Sequence, residues 1–357
     1  MIARTYRRTW NVAVFIGTIL LTAVSSGGRT RLLAQEELLP RHITPEAVKS
    51  IKKGLDYLAT QQAPDGGFTT NPDGKTYPCA MTALAGMAFL ANGNTPSRGP
   101  YADQVRKTAA YLMSQAHDDG LIAAPAEAGY SMYGHGFSLL FLSSVYGMET
   151  DPERRKQIGT VIKKGIQLTA AAQSGFGGWI YTPGGGDEGS VTVTQLQGLR
   201  AAHDAGFTVP KGTIENAIRY LELCKTPEGG IRYSYYSGSD TRLPITAAAV
   251  ACLYSAGEYD SPLAESCLKY THRQFKASGS EFQSGHYFYL HLYASQAFYQ
   301  AGDEYWDDYF PTMRDKLIAK QGGDGHWDGD GVGPVFGTSL ATVLLQLPYK
   351  FVPIYQR

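Results

Sequence analysis

The sequence has no surplus of charge. Its 357 residues hold 32 Lys and Arg against 32 Asp and Glu, so no electrostatic argument recommends a nucleic acid or an anionic membrane surface as partner. Cysteine is scarce: Cys79, Cys224, Cys252 and Cys267 are the four, and none pairs in a CxxC spacing. Each stands in a helical pattern among apolar or small neighbours, which favours a buried free thiol and leaves disulfide connectivity unassigned. No sustained alternation of apolar and polar residues occurs, so an extended β-sheet is not expected. Charged residues make up 18% of the chain and hydrophobic ones 43%, a balance that rules against wholesale disorder and allows a large core. What the chain does have is tyrosine, 24 of them.

The N-terminal apolar run, "NVAVFIGTILLTAV", is short for a bilayer span and follows Arg4, Arg7 and Arg8. That is the pattern of an export signal, expected to occupy residues 1–34 with a short linker. Cleavage after Ser25 or after Ala34 fits, with Ala23 or Leu32 three residues upstream. The expected location is therefore periplasmic or extracellular. An uncleaved leader holding the protein to a membrane is the alternative.

Prolines mark a beat. Pro45, Pro100, Pro152, Pro210, Pro262 and Pro311 lie 55, 52, 58, 52 and 49 residues apart. Thr44, Asp151 and Ser261 each precede one, as a capping residue precedes a proline at the first helical position. The spacing predicts six helix–loop–helix units over about 45–99, 100–151, 152–209, 210–261, 262–310 and 311–350, with a tail at 351–357. The first helix of each unit is amphipathic. The second is rich in small and aromatic residues, as in "YPCAMTALAGMAFLANG" and "LPITAAAVACLYSAG". Helices apolar on most faces belong inside. An open solenoid needs polar ends, whereas "LLQLPYKFVPIYQR" is apolar and aromatic throughout. The expected fold is all-α, a closed six-hairpin α/α toroid with inner and outer helix rings.

One loop motif recurs: "KGLDYLATQQAPDGGF", "KGIQLTAAAQSGFGGW" and "KLIAKQGGDGHW". Gln62, Gly66 and Phe68 share their spacing with Gln173, Gly177 and Trp179, and with Gln321, Gly325 and Trp327. A Gln amide can both donate and accept at helix ends, so the motif is expected to staple each outer helix to its inner one. The pattern resembles the QW repeat of squalene and oxidosqualene cyclases, with related repeats in protein prenyltransferase β subunits and complement thioester domains. The resemblance covers about residues 45 to 350. It implies the toroid; activity varies among members of such a fold.

The resemblance also says which residues to look for. A squalene-type cyclase uses Asp-x-Asp-Asp-Thr-Ala, and "SGSDTRLPITAAA" matches it only at Asp240 and Thr241, with Ser239 in the acid position and Arg242 after the Thr. A prenyltransferase would hold zinc with Asp, Cys and His. "DEGSVTVTQLQGL" has no Cys near Asp187, while His286 in "GHYFYLHLYASQAF" stands where the His would. Cys79, His135, His286 and Asp240 are spread over four units, which does not favour zinc. Asp324, Asp328 and Asp330 in "DGHWDGDGVG" lack the closing Glu of a calcium loop. No cofactor is expected. The Cys-Gly-Glu-Gln thioester signature and a Gly-x-Ser-x-Gly elbow are both absent.

The candidate catalytic residues are Asp240, His135 and His286. Tyr77, Tyr133, Trp179, Tyr235 and Tyr287 are the candidate ring lining of a central cavity, where π faces steady cations or pack on apolar surfaces. The expected function is an exported toroid lacking the complete motif of either enzyme, binding an apolar or extended small molecule, or a protein. A terpenoid cyclase or isomerase using Asp240 is the alternative. A secreted polysaccharide lyase or hydrolase is a third, with Asp187 and Glu188 as its adjacent acids.

Overall fold

The computed structural model describes residues 39–69, 77–238, 240–282 and 285–356; the expected export signal lies outside them. The helices come in pairs along the chain: α1 (Pro45–Gln61) and α2 (Pro78–Ala91), α3 (Ala102–Ser114) and α4 (Ser131–Tyr146), α5 (Pro152–Ala171) and α6 (Gly189–Asp204). The second half repeats this with α7 (Lys211–Leu223) and α8 (Leu243–Ser255), α9 (Pro262–Ser278) and α10 (Tyr287–Ala301), α11 (Asp303–Lys320) and α12 (Pro334–Gln346). Among the described residues there is no β-strand, only isolated bridges, and no helix is long and apolar enough to cross a membrane.

The odd helices bury a stripe and the even ones bury almost everything. In α1 the buried residues are Ala47, Ser50, Ile51, Gly54, Leu55 and Leu58, one face at helical spacing; in α2 every residue is buried. Each even helix packs on the even helix before and after it, and α12 packs on α2, so the inner ring closes. Each even helix also rests on the next odd one, as α2 on α3 and α12 on α1. The all-α toroid read from the sequence is the fold of the chain.

Capping follows the expected chemistry at two of three sites. Thr44 accepts from the Ala47 amide, and Asp151 from those of Glu153 and Arg154; Ser261 makes no such bond. Pro311 is a correction. It lies inside α11, which begins at Asp303 directly after Gly302. Gly302, at φ 127°, breaks the chain between α10 and α11, and Asp303 and Glu304 supply the acidic first turn. The sixth unit starts there.

The repeated loop also works differently from the expectation. Gln62 donates to Gly66 O of its own loop and to Gln104 O on α3, at 3.0 and 3.1 Å. Gln173 donates likewise to Gly177 O and to Thr213 O on α7. The Gln therefore staples each outer helix to the next outer helix. Gly66, Gly177 and Gly325 have φ near 100°, and a Cβ on any of them would strike a main-chain carbonyl of that same neighbouring helix. The link to the inner helix is made by the aromatic residue's amide. Phe68, Trp179 and Trp327 donate to the hydroxyls of Thr82, Thr192 and Thr338 at 2.8, 3.0 and 3.0 Å.

The C-terminal segment crosses the end of the ring where the inner helices finish. Phe351 covers Gly93 just beyond α2, Gln300 near the end of α10 donates to Ile354 O and Gln356 O, and the turn Pro353–Tyr355 packs on α6. Tyr355 is buried.

Candidate functional site: a cavity at the inner-helix N-termini

The opposite end of the ring holds a cavity of about 470 Å³. Its walls come largely from the first two turns of the inner helices. Ala80, Met81 and Leu84 of α2, Phe137 of α4, Pro244 and Ile245 of α8 and Phe336 of α12 make it apolar. Tyr77, Tyr133, Tyr233 and Tyr289 add rings, and Ser190, Arg242, His286 and Asp330 add polar groups.

Further down, the lumen is filled. Gln197 on α6 donates to Gln296 on α10 at 2.7 Å, and at the cavity wall the Tyr289 hydroxyl donates to Ser190 O at 3.1 Å. These bonds join two inner helices that have α8 between them in the ring, so the open space is confined to one end.

The polar wall is wired inward. The Tyr133 hydroxyl lies 2.5 Å from Ser190 Oγ, and Ser190 Oγ donates to the Glu188 carboxylate at 2.7 Å. Glu188 caps α6, accepting from the amides of Ser190 and Val191. Burial pushes its carboxyl up, and those hydrogen bonds pull it back. Beside it the hydroxyls of Tyr181 and Tyr233 are bonded to each other.

Asp330 is the one carboxylate on the cavity wall among the described residues. Its Oδ2 accepts from the Phe288 amide at 2.6 Å, which caps α10. Burial raises its pKa against the pull of those amides and of His286. Glu127 does the same for α2, accepting from the amides of Cys79 and Ala80. The buried Glu127 and Glu188 and the half-buried Asp330 thus cap α2, α6 and α10, every second helix of the inner ring.

Of the residues singled out in the sequence, Tyr77, Tyr133 and His286 reach the cavity. The others do not. Asp240 is exposed and is not on the cavity wall, where Arg242 stands instead. His135 is buried. Its Nδ1 accepts from the Ile122 amide at 3.1 Å and its Nε2 contacts Thr169 Oγ1 at 2.9 Å, so it fills the place that Thr82, Thr192 and Thr338 hold in other units. Burial lowers its pKa to about 4, and the ring is neutral. Trp179 is buried and donates to Thr169 O at 2.7 Å. Tyr235 stacks on Phe176 at 4.9 Å, away from the cavity. Tyr287 packs against His291 under the ammonium groups of Lys316 and Lys320.

The adjacent acids also part company. Glu188 is a cap, and Asp187 sits beside Tyr220. In the Gly-rich loop, Asp324 and Asp328 flank His326 at 2.5 and 3.4 Å while Asp330 turns to α10. Among the described residues no three His, Cys, Asp or Glu are grouped to hold a metal ion. Sequence reading missed Ser190, Tyr233 and Arg242, and considered Asp330 only for calcium. Their one shared signal is position: each lies within about five residues of the start of an inner helix, except Tyr233, which a bridged loop brings there.

No family model matches the chain. Among curated proteins it is similar to a drimenyl diphosphate synthase of Streptomyces showdoensis, 24% identical over 196 residues, 55% of this chain and 34% of the relative. A drimenyl diphosphate synthase of Streptantibioticus cattleyicolor is 26% identical over 178 residues, 49% of this chain and 31% of the relative. The match spans about a third of the length of these relatives. Among solved structures, the type II terpene cyclase MstE from Scytonema superposes with TM-score 0.56 at 14% identity, covering 87% of this chain and 100% of that one. A cellobiose 2-epimerase from Spirochaeta thermophila gives 0.62 at 12%, covering 87% and 98%. An inactive α-1,6-mannanase variant of Salegentibacter gives 0.62 at 8%, covering 84% and 98%. Identities this low define the fold alone. The chain has the α/α-toroid fold that this terpene cyclase, this epimerase and this mannanase share.

Proposed function

We propose that this toroid takes up an elongated apolar molecule of isoprenoid type in the cavity of its inner ring. The carrying observation is the cavity itself, about 470 Å³ of mostly apolar and aromatic wall at the open end of a closed ring. That is the usual size and chemistry of a small-molecule site. The similarity to drimenyl diphosphate synthases supports a terpenoid ligand over a sugar, as does the separation of Asp187 from Glu188. The test is thermal unfolding with farnesol, geranylgeraniol and cellobiose. A ligand at a hundredfold excess over its Kd adds about 2.7 kcal/mol, so the two prenols raise Tm and cellobiose does not. Ala80→Trp, which fills the cavity, abolishes the rise. No shift with either prenol defeats the reading.

A second reading, a terpenoid-type enzyme, is favoured by Asp330 in place of Asp240. A carboxyl whose pKa is raised by burial and which faces an apolar ring-lined space is placed to give its proton to a bound alkene, and the tyrosine rings are placed to steady the resulting cation. Incubation with polyprenyl substrates and mass-spectrometric detection of cyclised product decides it. Asp330→Asn keeps an α10 cap and stops turnover.

Residues 1–34 we read as an export signal. N-terminal sequencing of the exported protein then begins at Ser26 or Gln35.

A further inference from the structure

We propose that the ligand is an amphiphile with an anionic head, a carboxylate or a phosphate, and that Arg242 holds this head at the mouth of the cavity. The proposal rests on the apolar-cavity reading above and narrows it.

Arg242 is exposed, lines the cavity and forms no ion pair among the described residues. Its root is fixed. The Arg242 amide donates to Ile231 O at 2.7 Å, and its carbonyl accepts from Thr246 N at 2.9 Å. Only the side chain is left to swing over the opening. The position directly before α8 also adds the positive end of that helix to the guanidinium charge. The one carboxylate on the wall, Asp330, is separated from it by α10 in the ring and is engaged by the amides of α10.

Proton counting shows which hydroxyls are left for a ligand. Ser190 gives its proton to Glu188, and Tyr133 then gives its own to Ser190. Those two are committed inward. Tyr181 and Tyr233 are bonded to each other, and two hydroxyls sharing one hydrogen bond use one of their two protons. The second is left over on one of the pair, of which Tyr233 lines the cavity. Burial, with the Tyr181 hydroxyl and Glu188, pushes the Tyr233 phenol up, and Arg242 is near enough to pull it partly back. The Arg242 guanidinium thus shares the cavity wall with the Tyr233 hydroxyl and has no carboxylate paired to it among the described residues.

Energetics sets the choice of head. A ligand filling the cavity covers the mouth and takes water from the guanidinium, which is costly unless a partner replaces it. A hydroxyl head replaces it poorly. A carboxylate or phosphate accepts two parallel N–H bonds from the planar fork.

The test compares three fifteen-carbon probes, farnesol, farnesoic acid and farnesyl monophosphate, by titration calorimetry on the wild type and on Arg242→Gln. Circular dichroism confirms the fold of the variant. The expected result is that the acid or the phosphate binds at least about tenfold tighter than the alcohol. The advantage shrinks as salt rises and disappears in R242Q, while farnesol affinity stays within about twofold. Which anion leads identifies the head. Equal binding of all three overturns the anionic head and leaves the apolar-cavity reading standing. An advantage that survives in R242Q overturns the role of Arg242. If none of the three binds, the cavity reading itself is wrong and this proposal falls with it.

Discussion

The side-chain amide of Gln321 donates to the main-chain carbonyl of Ser50 at 2.9 Å, across 271 residues of sequence. The same nitrogen reaches Gly325 O at 2.8 Å, and Ser50 Oγ returns a bond to Gln321 Oε1 at 2.8 Å. The last outer helix is thereby tied to the first by the contact that joins neighbours elsewhere in the ring.

Removing that tie tests closure. Gln321→Ala removes the bonds to Ser50 O and Gly325 O and strips Ser50 Oγ of its acceptor, and is expected to cost about 1–3 kcal/mol. Gln173→Ala, within the ring, should cost a similar amount. Urea unfolding of the two variants beside the wild type measures both. A neutral Gln321→Ala would mean that the ring is closed by the inner helices alone.

Gly177 is constrained twice over. Its φ is 101°, and a Cβ there would collide with the Asn216 carbonyl on α7. Gly184 has φ 79° and open space around it. Gly184→Ala is therefore expected to lose about 1 kcal/mol, from backbone strain only, and Gly177→Ala at least twice that. Denaturant midpoints of the two variants separate strain from collision.

His135 gives stability a dependence on pH. Burial depresses its folded pKa to about 4 from 6.5, so between these values the unfolded chain binds a proton that the folded chain refuses. Its contribution is complete above about pH 6.5 and is lost as pH falls toward 4. His291, lowered to about 3 for the same reason, acts in the same direction. His135→Thr installs the hydroxyl that other units use at this place. It should be less stable than the wild type at pH 7.5, with the gap narrowing by pH 5 in urea titrations. Prenol binding should be unchanged, as a structural rather than catalytic histidine requires.

The thiols are sealed. All four cysteines are buried and unpaired, and burial pushes Cys224 up to about 11 and Cys267 to about 12, with Cys79 and Cys252 raised further. Thiolates are the reactive form. A disulfide reagent at pH 8 should therefore release no thiol signal from the native protein and four equivalents in guanidinium chloride.

The architecture was legible because its signals are local. A fifty-residue beat, a Pro or Gly at each boundary and a change from amphipathic to wholly apolar helices each sit within one unit. The partner of Gln62 was not legible, since Gln104 belongs to the next unit and no pattern within one loop points to it. Pro311 misled because the link at Gly302 is so short that α11 starts eight residues before the expected place.

The site was legible by helix and not by face. Residues two apart on a helix differ by about 200° in direction, and that angle separates the right choices from the wrong ones. On α4, Tyr133 turns to the cavity and His135 to Thr169 on α5. On α10, Tyr289 turns to the cavity and Tyr287 toward the lysines of α11. Inner helices apolar on every side carry no periodicity to say which side faces the lumen. Arg242 and Asp330 lie in irregular segments, where periodicity says nothing at all.

A strap of chain over one end of a ring turns a pipe into a thimble. With Phe351, Ile354 and Tyr355 laid over the far side and Gln197 bonded to Gln296 beneath the cavity, whatever goes in comes out by the same door. A long polymer cannot be fed through and released behind. On the proposed reading, capture is tail-first, one molecule at a time, and the rim decides how long the ligand stays.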